Sequence, residues 1–173
     1  DRLVRPANLI GYDKGFGSLV FDTPEGLLRV TNLLGQAFMT ENVKPPFEAM
    51  NEILNEGEST KFNFVDYHAE STSEKQTFAY GFDGEISVLV GTHTHVQTND
   101  ARVLPLGTGL LTDVGMCGGF DTIIGADPEM AINRFLLLDP EARLSFPEEG
   151  RVLINAALID LDSMDGLCKR ICP

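Results

Sequence analysis

Several kinds of signal are scarce in this chain, and each absence excludes something. No apolar run approaches the roughly 20 residues a membrane-spanning helix needs, so no membrane span is expected. No signal-peptide pattern opens the sequence, which begins "DRLVRPANLIG" without an initiator Met. There are only three cysteines, Cys117, Cys168 and Cys172, an odd count that gives no disulfide framework. Reduced thiols and a cytoplasmic location are therefore expected. Cys168 and Cys172, in "LCKRICP", lack the C-x-x-C spacing of a zinc knuckle or redox pair. Cationic side chains are also few: 13 Lys and Arg face 26 Asp and Glu, for a net charge of −13. Such a surface repels polyanions, so non-specific nucleic-acid binding is excluded. A small anionic substrate needs local cations to offset that field, and metal ions are the obvious source.

The sequence has no internal repeat, no low-complexity tract and no G-x-S-x-G elbow. "GYDKGFGS" (11–18) is glycine-rich but does not match G-x-G-x-x-G, and it reads as a loop. What is present suits one soluble domain over residues 1–173, with 43% hydrophobic and 23% charged residues. Apolar, partly β-branched runs predict strands at 26–34, 61–67, 85–91, 108–115 and 151–162. Helical patterns lie between them. "PPFEAMNEILNEG" (45–57) starts with prolines, ends at glycine and carries Phe47, Met50 and Leu54 on one stripe. "STSEKQTFAYGF" (71–82) opens with capping residues, and "DPEMAINRFLLL" (127–138) has Asp127 as N-cap with Pro128 behind it. Alternating strands and helices predict an α/β layer architecture. The tail after the last strand predicts antiparallel pairing at a sheet edge.

Histidine is as scarce as cysteine, and all three histidines occupy one kind of position. His68 ends the strand in "VDYHAESTSEK", and His93 and His95 follow the strand and Gly91 in "VGTHTHVQTND". Strand exits are where ligands bind in open α/β sheets. If the two strands are neighbours, the rings converge. Three imidazoles could hold one metal with an open position for water. Two metals would need further ligands. Asp113, at another strand exit, either lines the same edge or caps a turn, and the turn is the simpler reading. Glu70 and Glu74 are expected to face solvent.

"VDYHAESTSEK", "VGTHTHVQTND" and "LLTDVGMCGGFDTIIG", together with "RPANL", "VTNLLGQAFM" and "AINRFL", resemble the YmdB-like family of 2′,3′-cyclic-nucleotide phosphodiesterases. That family is a bacterial branch of the calcineurin-like metallophosphoesterases. The resemblance implies a two-sheet α/β sandwich flanked by helices. It also implies two divalent or trivalent metal ions (Fe, Mn or Zn), ligated in part by His68, His93 and His95. The implied substrate is a cyclic nucleotide or similar small phosphodiester, and the implied assembly is a homo-oligomer. The family's opening Asp, Glu–Asn and Gly-Asn-His segments precede the "RPAN" region at which this sequence starts. On that reading the chain is the C-terminal two-thirds of a metallophosphoesterase domain, and the resemblance assigns it no catalytic residue. The alternatives are a non-catalytic relative serving as a metal-binding or interaction module, and a three-histidine hydrolase with Glu70, Asp100 or Asp113 as base.

Overall fold

The computed structural model describes residues 3–12, 14–138 and 143–173. Its centre is a six-stranded mixed sheet in the order β1-β2-β3-β4-β6-β5. β1 (Ser18–Thr23) and β2 (Gly26–Leu34) form an antiparallel hairpin with Thr23 opposite Gly26. β3 (Phe62–His68), β4 (Val88–Thr92) and β6 (Gly109–Leu111) then add in parallel, and the short β5 (Arg102–Val103) closes the far edge antiparallel to β6. Parallel neighbours need crossovers, and helices supply two of them. α1 (Pro46–Glu56) links β2 to β3, and α2 (Thr72–Gly81) links β3 to β4.

The period-two alternation of the strands separates two cores. Val65, Tyr67, Leu89 and Leu110 point to the helical face, where Met50 of α1 and Phe78 of α2 complete a buried cluster. Phe47 of α1 packs on Phe78 with ring centroids 5.1 Å apart. Val88, Val90 and Leu111 point the other way. They are covered by a second, two-stranded sheet of β9 (Leu158–Leu161) and β10 (Cys168–Cys172), through Cys168 and Ile171. Each buried aliphatic or aromatic side chain in these layers is worth about 1.5–3 kcal/mol relative to exposure. The architecture is therefore α/β, with a large and a small sheet packed face to face and helices outside the larger one.

Three sequence expectations change. The run 151–162 is two strands, because its partner changes at Asn155. β8 (Val152–Ile154) pairs with β7 (Cys117–Gly119), whereas β9 pairs with β10. Asn155 instead donates its side-chain amide to the Met116 carbonyl. The antiparallel C-terminal pairing exists, but it lies over a face of the main sheet rather than extending its edge. α3 (Pro128–Phe135) is capped by Asp127 as expected yet ends before Leu138, where Leu137 adopts a positive φ of 58°. β1 has no counterpart among the expected strands.

Candidate metal centre

The site forms where β2, β3 and β4 end side by side. Asn32, Asp66 and Thr92 lie on the face opposite the helices, as does His68. Asp66 is the anchor: one carboxylate oxygen accepts from the Asn32 amide at 2.7 Å and the other from the Thr92 hydroxyl at 2.8 Å. The Thr92 hydroxyl has one proton, and Asp66 takes it. The 3.0 Å contact between Thr92 Oγ1 and His68 Nδ1 must therefore be donated by the imidazole. That fixes the His68 tautomer, with its lone pair on Nε2. Burial, and then the neighbouring His93, hold the His68 imidazole below its ordinary pKa against the opposing pull of Asp66. Its neutral form is thus the favoured one.

His93 Nε2 lies 3.1 Å from Glu70 Oε2. A carboxylate only accepts, so Nε2 carries the proton and the lone pair of a neutral ring sits on Nδ1. That Nδ1 is 3.1 Å from His68 Nε2, with the two rings edge to face. Two lone pairs facing each other repel while both rings are neutral, and a metal ion held between them would turn that repulsion into two ligand bonds. Nitrogen ligands about 2.0–2.1 Å from a shared ion, at angles of about 90–110°, lie roughly 2.8–3.4 Å apart. The observed separation fits that range.

His95 has Nδ1 3.1 Å from the Ile124 carbonyl, which leaves Nε2 as its free lone pair. It lines a shallow pocket of about 240 Å³ with Gln97, Phe120 and Asn155. The structure thus brings His68 and His93 together and turns His95 toward a neighbouring loop. Among the described residues no three His, Cys, Asp or Glu side chains surround one position.

The loop carrying these rings is strained. His93 has φ 117° and His95 φ 66°. Non-glycine residues held in such regions cost about 1–3 kcal/mol each and concentrate at functional sites. Gly91 is needed just before them, because a Cβ there would lie 1.9 Å from the Thr112 carbonyl oxygen.

Asp113 secures this arrangement. It caps its own turn through the Gly115 N–H at 2.9 Å, as the sequence suggests, and it also accepts the Thr94 N–H at 3.0 Å, between the two strained histidines. Lys75 of α2 reaches the same carboxylate at 3.1 Å, and both side chains are almost fully buried. Burial pushes the Asp113 carboxyl up, but hydrogen bonds from Thr94, Gly115 and Lys75 outweigh it and hold it below the usual range. Asp100 braces the next turn by accepting from Thr98 and Thr112.

Sequence reasoning missed the buried Lys75. The signal was present, since Lys75, Phe78, Ala79 and Phe82 share one helical stripe. It also misplaced one carboxylate. Glu74 does not simply face solvent: it accepts the backbone N–H groups of Gln36 and Ala37. Glu70 faces solvent as expected, and it also holds His93.

The family described as YmdB-like protein matches residues 1–173. The chain belongs to that family. A Bacillus subtilis relative, 2′,3′-cyclic-nucleotide 2′-phosphodiesterase, is 41% identical over 92% of this chain and 60% of its own length. A Mycoplasma pneumoniae relative described as a putative phosphatase/phosphodiesterase is 44% identical over 77% of this chain and 49% of its own. A solved structure from M. pneumoniae, described as a novel phosphatase, superposes with a TM-score of 0.87 at 36% identity. It covers 97% of this chain and 61% of that one. This YmdB-like chain therefore spans about half to three-fifths of the length of the relatives it matches. Among its described residues, no helix is long and apolar enough to cross a membrane.

Proposed function

We propose that this chain carries the metal-binding half of a phosphodiesterase that hydrolyses 2′,3′-cyclic nucleotides or similar small phosphodiesters. His68 and His93 would share one ion through Nε2 and Nδ1, and His95 Nε2 would serve a second. The observation that carries the reading is the 3.1 Å approach of His68 Nε2 to His93 Nδ1, with each ring's other nitrogen committed to Thr92 or Glu70. Fe, Mn and Zn all suit imidazole and carboxylate donors. Bound there, such ions supply positive charge for the phosphate oxygens and lower the pKa of water. The chain's own residues orient the ligands: Asp66 and Thr92 hold His68, Glu70 holds His93, and the Ile124 carbonyl holds His95. The substrate class is supported by the named activity of the B. subtilis relative. A non-catalytic metal-binding module is the second reading, favoured by the finding that no three His, Cys, Asp or Glu side chains surround one position among the described residues.

The test is metal content by elemental mass spectrometry on the 173-residue chain, with His93→Ala as control, followed by hydrolysis of 2′,3′-cyclic AMP. Bound metal that is lost in the control, together with hydrolysis, supports the enzyme. Metal without hydrolysis favours the module. A chain that takes up no Mn, Fe or Zn at saturating concentration would refute both.

A further inference from the structure

We infer that the buried Lys75–Asp113 pair sets the geometry of the 92–95 loop, so that both are positioning residues for the centre. This rests on the metal-centre reading above. Lys75 and Asp113 side chains are 1% and 2% exposed. Moving an ammonium and a carboxylate out of water costs several kcal/mol per ion, and well-packed apolar residues of similar volume often give equal or greater stability. Stability is therefore a weak reason for the pair, and its contacts suggest a better one.

Asp113 Oδ2 accepts from Lys75 Nζ and the Thr94 N–H, while Oδ1 accepts the Gly115 N–H. Thr94 is the residue between His93 and His95, whose positive φ values the loop could relax if that amide were released. The Lys75 stem also runs beneath the loop's entry, where a Cβ on Gly91 would lie 2.9 Å from Lys75 Cδ. An ionised carboxylate makes stronger hydrogen bonds to backbone N–H groups than a neutral acceptor does. The ammonium 3.1 Å away supplies the counter-charge that keeps it ionised without water. α2 is thereby coupled to ligand placement although Lys75 touches none of the three histidines' ring nitrogens among the described contacts.

The decisive variant is Lys75→Met/Asp113→Leu, which removes both charges together and leaves no lone buried ion. It is expected to keep cooperative unfolding near the wild-type temperature. Two readouts distinguish positioning from a merely structural role. The Thr94 amide should exchange with deuterium at least tenfold faster, which needs no metal. Co²⁺ affinity by chelator competition should fall roughly 10- to 100-fold, as when ligand-orienting partners are lost elsewhere. The single variant Asp113→Asn leaves the Lys75 ammonium buried and unpaired, so it should lose global stability as well as Thr94 protection, and the double variant decides. Unchanged Thr94 exchange with Co²⁺ affinity within twofold of wild type overturns the inference while leaving the metal centre standing. A wild-type chain that takes up no Co²⁺ sinks the metal-centre reading, whereas Thr94 exchange still decides whether the pair clamps the loop.

Discussion

Thr92→Val is the most informative single change at this site. Valine is close in shape, suits a β-strand and lacks only the hydroxyl. The hydroxyl makes two contacts, donating to Asp66 at 2.8 Å and accepting from His68 Nδ1 at 3.0 Å. A hydrogen bond to a charged group is worth about 1.5–3 kcal/mol and a neutral one about 0.5–1.5. Asp66 keeps Asn32 as a donor and is only half-buried, so water recovers part of the loss. The net destabilisation should be about 1–2 kcal/mol, read from urea unfolding of the metal-free chain. The larger effect falls on metal affinity, because nothing then fixes the His68 tautomer or ring angle. A 10- to 100-fold weaker Kd is expected, about 1.4–2.7 kcal/mol. Nitrogen-15 NMR of the histidine rings would report the tautomer directly: Nδ1–H in the wild type, a mixture in the variant. An unchanged tautomer with Kd within twofold of wild type would refute the proposed chain from carboxylate through hydroxyl to imidazole.

Two further outcomes follow from the same geometry. The metal-free chain should lose stability in two steps on acidification. His68 has a folded pKa below its ordinary 6.5, so the unfolded chain takes up a proton first and stability begins to fall as pH drops through about 6.5. Asp100 and Asp113 have folded values below 3.8, so their contribution is intact above that value and is lost below it. Unfolding midpoints across pH 3–8 would show both steps in the wild type, and His68→Gln should remove the first. Gly91→Ala should destabilise by at least about 1–3 kcal/mol, because its Cβ must push the Thr112 backbone away. A Gly91→Ala chain of wild-type stability in urea would mean that β4 and Thr112 lie further apart than described.

Much of the frame is legible from local pattern. β3 and β4 announce themselves as apolar runs because both of their faces are covered, and β2 does so although Leu33 alone of its residues joins a core cluster. α1 and α2 carry their start and stop signals in prolines, Ser71 and Gly57. The placement of His68 and the His93–His95 pair at neighbouring strand exits is also legible, since β3 and β4 are adjacent and parallel. What fails to show is whatever depends on a partner distant in sequence. β1 lies at the sheet's edge with no fully buried residue, so its pattern is weak. β5 is too short to have a period. The break at Asn155 is set by two different partner strands, and nothing in an alternating run records where one hands over to the other.

The charges at the site were the least legible part, and they matter most for its chemistry. In a chain of net charge −13, Asp66 and Glu70 add negative charge at the mouth where an anionic phosphodiester would approach. Lys75 cannot offset them, because its ammonium is buried and already neutralised by Asp113. In the proposed centre these carboxylates would instead fix the ring tautomers and make the nitrogens that face the ion more basic. That arrangement is unfavourable for binding phosphate directly and favourable for holding a cation that then binds phosphate. Without an ion the proposed substrate would face the repulsion of Asp66 and Glu70. The local electrostatics and the facing lone pairs of His68 and His93 therefore both support the proposed ion, by independent arguments.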